Sequence, residues 1–273
     1  LLKHDFSCDL QVHPFGKRVK LLDILIQMEK NNLNLSALLD FSWHNNVDLD
    51  NVMDIESVRS FYEIKNLEKN VYCFENKKNH KEFFLVLGSE VAPEDFSWHV
   101  LSIGVREIKN RKDVFSIVDE IINRGGIAII DHPFADTLPG SHFKDINEEK
   151  EKRLALICLK YVGKIALEWN GMLIPWIRGV LPGCTDYTNT KTGALSERAF
   201  IPMVTTTDLH IWSKISLSQI GRARINISSE KIDRKKIIKS LSHIILKKEF
   251  FVNRKYVSNL CFLEFAVYNL LGY

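Results

Sequence analysis

Several short apolar runs in this sequence end on a side chain that can hold a metal ion. Cys8-Asp9-Leu10-Gln11-Val12-His13-Pro14 ends on an imidazole, and Leu38-Leu39-Asp40-Phe41-Ser42-Trp43-His44 ends the same way more loosely. Phe83 to Glu90 stops at a carboxylate, Gly125 to Pro133 stops at His132 just before a proline, and Pro202 to His210 stops at Asp208 and His210. His99 stands at the entrance of a further run, Trp98 to Val105. Imidazole and carboxylate bind borderline and hard divalent cations without any thiolate. The set His13, His44, Glu90, His99, His132, Asp208 and His210 offers more ligands than one ion needs, so a cluster of ions is expected. Two ions about 3.5–4 Å apart can hold a bridging hydroxide and clamp the attacking and leaving oxygens of an in-line displacement. Phosphate esters are the substrates that gain most from such a site.

The runs that carry these residues are too short for helices and long enough for buried strands, and Pro133 cannot continue a ladder, so His132 falls where strand becomes loop. Between them the spacing predicts amphipathic helices over 20–30, 54–72, 114–122 and 147–161, with others near 234–245 and 260–271. Residues 75–82 read as a charged excursion, and 171–195, rich in Gly, Pro and Thr, as an irregular loop placed to act as a lid or specificity loop. Strands alternating with helical crossovers imply a parallel sheet, and about seven such units favour closure into a barrel. Functional residues of such a barrel collect at the C-terminal ends of its strands.

At 273 residues the chain is long enough to be one α/β barrel domain over 1–273. Its 45% hydrophobic and 26% charged content is that of an ordinary globular protein. The net charge of +3 falls far short of a nucleic-acid footprint, although Lys235, Lys236, Lys239, Lys247, Lys248, Arg254 and Lys255 lean basic near the end. Five cysteines without a C-x-x-C pair argue against a disulfide framework or a thiolate zinc site, so a reducing, cytoplasmic location is expected. No signal peptide is visible, though the chain does not begin with Met, and the apolar segment 260–271 is too short to span a bilayer.

The order of these motifs resembles the PHP (polymerase and histidinol phosphatase) superfamily of metal-dependent phosphoesterases. The family's Asp-Leu-His-x-His opening is similar to Asp9-Leu10-Gln11-Val12-His13, its Gly-x-Glu to Gly88-Ser89-Glu90, and its Gly-Gly-x-x-x-x-x-His-Pro to Gly125 through Pro133. Its Glu-x-x-Asn is partly met by Glu168-Trp169-Asn170, its Ser-Asp-x-His resembles Thr207-Asp208-Leu209-His210, and Ile220-Gly221 follows as in the family. The resemblance implies a distorted (β/α)7 TIM-like barrel of PHP type holding two or three divalent ions (zinc, manganese or iron). It places His13, Glu90 and Asp208 on a first ion, with Gln11 in the position of the family's first histidine. Glu90 would bridge to a second ion held by His99 and His132, and His44 and His210 would serve a third. Glu90, His132 and Asp208 are the expected catalytic core, with Asp9 and Asn170 orienting the ligands.

Three departures carry consequences. The amide of Gln11 is a harder, weaker ligand than imidazole and would tilt the first site from zinc toward manganese or magnesium. Trp43 stands where the family has an aspartate. The loop after His13 brings Lys17 and Arg18 in place of a further ligand, and these cations are expected to contact the substrate phosphate.

Taken singly, His4, His80, His142 and His243 read as structural, and Arg178, Arg222 and Arg224 as surface charges. Glu168 reads as a barrel-interior residue, and Asp131 as a structural partner on the other face of its strand. The leading functional reading is hydrolysis of a phosphate ester of a small metabolite or nucleotide, with no membrane involved and nucleic acid not indicated. The competing one is a barrel with a degraded metal site that serves as a binding or scaffold protein, with RNA as a partner. Gln11 and Trp43 motivate the second, and the retention of His13, Glu90, His132 and Asp208 argues against it.

Overall fold

The computed structural model describes residues 5–15, 19–43, 47–95, 97–135, 148–172 and 186–270. The chain opens with β1 (Phe6–Pro14), α1 (Leu21–Lys30), β2 (Leu35–Phe41) and a one-turn α2 (Leu49–Val52). There follow β3 (Tyr62–Glu68), β4 (Val71–Asn76), β5 (Glu82–Val91), β6 (Val100–Ile103), α3 (Val114–Asn123) and β7 (Ile127–Ile130). The second half runs α4 (Glu148–Lys160), β8 (Ile165–Asn170), α5 (Asp186–Ala199), β9 (Met203–Thr206), β10 (Leu209–Ile211) and α6 (Lys214–Leu217). It ends with β11 (Arg224–Ile227), α7 (Ile237–Leu246), β12 (Phe251–Asn253) and α8 (Asn259–Leu270).

The sheet runs β12-β11-β1-β2-β5-β6-β7-β8-β9. It bends almost into a barrel because the chain leaves β9, which pairs with β8, and within three residues enters β10, which pairs in parallel with β1. One continuous segment, 203–211, therefore joins the two ends of the sheet. Residues from nearly every strand meet inside it in one apolar cluster, Leu10, Leu39, Leu101, Ile129 and Val204 among them. Helix α7 adds Ile237, Leu241 and Ile245 to that cluster. Ile238 of α7 lies against Gly104, just past the far end of β6, so α7 plugs the end of the barrel opposite the strand tips discussed below.

The expected parallel sheet is only partly realised. β1, β2 and β5 are parallel, as are β7, β8 and β9, but β6 runs antiparallel to both β5 and β7. The N-terminal end of β6 thus lies at the same rim as the C-terminal ends of its neighbours. This explains why His99, at the entrance of its run, can join residues at the exits of theirs.

Two predicted segments differ. The helix expected over 54–72 is a 3-10 turn at Glu56–Val58 followed by the β3–β4 hairpin, paired from Tyr62↔Asn76 to Glu68↔Val71. Tyr62, Ile64 and their exposed neighbours Glu63 and Lys65 alternate with period two, and Asn70, at φ 66°, supplies the left-handed turn residue. The excursion at 75–82 is the turn that folds β4 antiparallel onto β5. Residues 186–195, expected as irregular loop, lie in α5, while 173–185 fall outside the described residues. Thr188, Asn189 and Thr192 are weak helix formers, yet they are buried, and Asn189 bonds both backbone groups of Asn170; packing overrides propensity here.

Among the described residues no helix is long and apolar enough to cross a membrane.

Candidate metal centre

β1 carries a register shift against β2 between Asp9 and Val12, a bulge that re-aims the strand. Leu10 packs into the barrel core while Val12 packs into the outer cluster with α1, and Gln11 and His13 turn toward the closing segment. β5 delivers Glu90 from a position that depends on Gly88: a Cβ there would run into the Ser102 carbonyl of β6, so only glycine lets the two strands approach. His132 and Asp208 both have positive φ, 23° and 50°, in a region that L-residues avoid. Such strain is characteristic of functional positions held by their surroundings.

Two groups of ligand-type side chains result. His13, Asp208 and His210 form one, and Glu90, His99, Asp131 and His132 the other; within each group the candidate ligand atoms lie within 4.8 Å of one another. Glu90 joins them, with Oε2 at 3.1 Å from His13 Nε2 and Oε1 at 2.5 Å from His99 Nδ1. His13 Nδ1 faces the Leu39 carbonyl at 3.1 Å. A carbonyl only accepts, so Nδ1 holds the proton and Nε2 is the nitrogen turned toward a ligand. Aromatic rings pack against the imidazoles: Phe41 stacks on His13 at 4.3 Å, and Trp43 and Phe265 lie tilted against His99 and His210 at 4.4 and 4.7 Å.

Around the ligands sits a hydrogen-bonded frame. Asn170 Nδ2 donates to Asp208 Oδ2 at 2.9 Å and to Glu168 Oε2 at 3.1 Å. Glu168 also accepts from the His132 backbone N–H at 2.8 Å and from the Thr206 hydroxyl. Gln11 donates through Nε2 to Asp208 Oδ1 at 2.9 Å and accepts through Oε1 from Thr206 Oγ1 at 3.1 Å. Both ends of its amide thus have protein partners, which places Gln11 to orient Asp208. Asp9, on the same strand, accepts from Thr207 N and Oγ1 and from Gly221 N.

The electrostatics call for cations. Glu90, Asp131, Glu168 and Asp208 are all buried, and among the described residues Glu90, Asp131 and Asp208 form ion pairs only with histidines. Burial, then the charges of Asp131 and Glu90, pushes Asp208 up to about 7. Burial and the adjoining Asp131 carboxylate hold Glu168 well above its ordinary value. Burial disfavours a charged His132, but Asp131 overrides it and lifts the imidazole to about 9. Burial works against ionised Glu90 as well, but His99 and His13 hold it well below the usual carboxylate range. His13 Nε2, His99 Nδ1, His132 Nδ1 and both oxygens of Asp131 are buried without an aligned hydrogen-bond partner. Close approach without hydrogen-bond alignment, among nitrogen and oxygen donors only, fits divalent ions at both groups.

A pH dependence follows. In the metal-free protein at pH 6.5 most Asp208 and His132 side chains hold a proton that a bound cation must displace. Metal binding therefore releases protons, and affinity rises with pH up to about 9. Calorimetric titration with manganese in two buffers of different ionisation enthalpy should give different apparent heats, and a buffer-independent heat would contradict the assignment.

His13, Glu90, His99, His132, Asp208 and His210 all converge, as the sequence implies. His210 joins His13 and Asp208, and the other expected third-ion ligand, His44, lies outside the described residues, as do Lys17 and Arg18. Asp131 is a correction. It was expected on the far face of its strand, but the ladder stops at Ile130 and the turn at His132 ends the alternation, so Asp131 enters the ligand group with an oxygen 2.9 Å from His132 Nε2. Glu168 is the buried barrel-interior residue expected, satisfied by its neighbours, the His132 backbone N–H among them. The adjacent sequence Asp131-His132 was the available signal for Asp131.

No family model matches the chain, and no curated protein matches it. Solved structures do. A two-domain protein from Bacteroides vulgatus, described as containing a predicted PHP-like metal-dependent phosphoesterase, superposes with a TM-score of 0.56 at 14% identity. The match covers 92% of this chain and 66% of that one, so this chain spans just under two thirds of that protein's length. Weaker likenesses extend to PsfC of Pseudomonas syringae (TM-score 0.48, 8% identity, 98% of each chain) and to a Bifidobacterium adolescentis chain (TM-score 0.42, 10% identity, 74% of this chain and 86% of that one). The nearly closed, mixed sheet described above is the PHP-like fold. At these identities the likeness concerns fold alone.

Proposed function

We propose that this protein is a metal-dependent phosphoesterase that hydrolyses a phosphate ester of a small metabolite or nucleotide. The observation that carries the reading is Glu90, one carboxylate with an oxygen turned toward each of two ligand groups at one barrel rim. In this reading His13, Asp208 and His210 hold one divalent ion, and His99, Asp131 and His132 hold a second, with Glu90 between them. A third ion at His44 and His210, and phosphate contacts from Lys17 and Arg18, belong to the same proposal. Bound divalent ions would supply an activated water and charge compensation for the phosphoryl oxygens. Glu168 fixes the His132 backbone, and Asn170 and Gln11 hold the two oxygens of Asp208. An oxygen that Gln11 offered to an ion would first have to be withdrawn from Thr206. The two imidazoles of His13 and His210 with the carboxylates of Asp208 and Glu90 suit zinc, iron or manganese at the first site. A reducing compartment such as the cytoplasm agrees with the cysteines Cys8, Cys73, Cys158 and Cys261, which are all free.

Elemental analysis of the purified protein combined with a phosphatase assay tests this reading. About two equivalents of transition metal and manganese-stimulated hydrolysis of p-nitrophenyl phosphate are expected. A protein without bound metal and inert with added manganese would support the scaffold reading instead.

A further inference from the structure

The outer face of β8 borders a second cavity, of about 830 Å³, that is separate from the metal centre. Residues alternate along a strand, so Glu168 and Asn170 face the metal site while Trp169 between them faces this cavity. Trp169 packs on Tyr256 with ring centroids 4.9 Å apart, and Phe250 extends the aromatic wall. Lys248 and Arg254 line the same space, and among the described residues neither forms an ion pair. Arg254 and Tyr256 also border an adjoining cleft of about 550 Å³ that carries Arg222 and Lys255. Lys248, Arg254 and Lys255 of the basic stretch near the end of the sequence, with Arg222, therefore border this aromatic-lined hollow and its neighbour.

A further feature is Gly193, in the interior of α5 on the cavity wall. A Cβ there would meet only the Met203 methyl at 3.8 Å, so packing does not require glycine. Alanine would favour the helix. What glycine provides at this point is an unobstructed wall.

We propose that this cavity binds a flat aromatic ligand bearing a phosphate, of about the size of a mononucleotide. The volume falls within the range of small-molecule sites. The rings of Tyr256 and Phe250, backed by the buried Trp169, offer a stacking surface, Lys248 and Arg254 take the phosphate, and Glu197 on the wall accepts from amino or hydroxyl donors. The wall is tied to the metal centre, because Asn189 accepts from Asn170 N and donates to Asn170 O, each at 2.9 Å, and Asn170 holds Asp208. The inference stands independently of the phosphoesterase reading.

Calorimetric titration of the protein with adenosine monophosphate in excess EDTA tests it, so that neither turnover nor bound divalent ions contribute. One site is expected, with adenosine and ribose 5-phosphate each binding at least about tenfold more weakly. Adding Lys248→Ala and Arg254→Ala should weaken the nucleotide about tenfold or more, and Gly193→Phe, which fills the hollow, should abolish binding. Circular dichroism melting confirms that the variants are folded, and the cation pair lies at the surface in case the phenylalanine is not tolerated. Absence of binding at millimolar nucleotide, or an affinity unchanged by the cation substitutions, would overturn the proposal. Binding seen with added manganese but lost in EDTA would do the same, by assigning the nucleotide to the metal centre.

Discussion

On the proposed function, replacing Glu90 with glutamine should lower metal-stimulated phosphatase activity about a hundredfold and reduce bound metal below two equivalents. Among the described residues Glu90 is the one side chain with an oxygen toward both His13 and His99. Glutamine keeps the shape but removes a charge and replaces one acceptor by a donor, so one of the two groups must face an N–H where a cation should lie. No rearrangement nearby restores the loss, since Asp131 and Asp208 already belong to the two groups. The check is parallel measurement of kcat and metal content. A variant that kept two ions and full turnover would remove Glu90 from its central place.

Asp9→Ala should cost about 3–5 kcal/mol of stability, because two buried donors, Thr207 N and Gly221 N, lose their acceptor and Thr207 Oγ1 is left with the Gln11 carbonyl at 3.3 Å. Asp9 pins β1 to the segment that closes the barrel, one residue before the left-handed Asp208. Urea unfolding measures the effect, and a loss under about 1 kcal/mol would mean that the closing segment is held by other contacts. The substitution should also loosen the first metal group, lowering manganese affinity by about 10–100-fold, the usual cost of losing a residue that orients ligands.

Much of the site could be read from residue types at strand ends. His13, Glu90, His132 and Asp208 are legible because a buried strand must stop where its sequence turns polar, and in a barrel these stops share a rim. The exceptions have local causes. Asp131 was placed on the wrong face because alternation was carried one residue beyond β7, past the last ladder pair at Ile130. His99 fits only because β6 is antiparallel to its neighbours, which no local pattern reveals. The β3–β4 hairpin reads as a helix in the sequence because Ile55, Val58, Phe61, Tyr62 and Ile64 satisfy a helical spacing, which only the cross-strand pairing overrides. Helix α5 was hidden by threonine, asparagine and glycine, whose weak helix preference is outweighed by their burial against β8 and β9.

Anomalous diffraction from crystals of the manganese-loaded protein decides whether two ions share Glu90. Two peaks are predicted, one among His13, Asp208 and His210 and one among His99, Asp131 and His132, with Glu90 touching both. A map without a peak at either group would contradict the account.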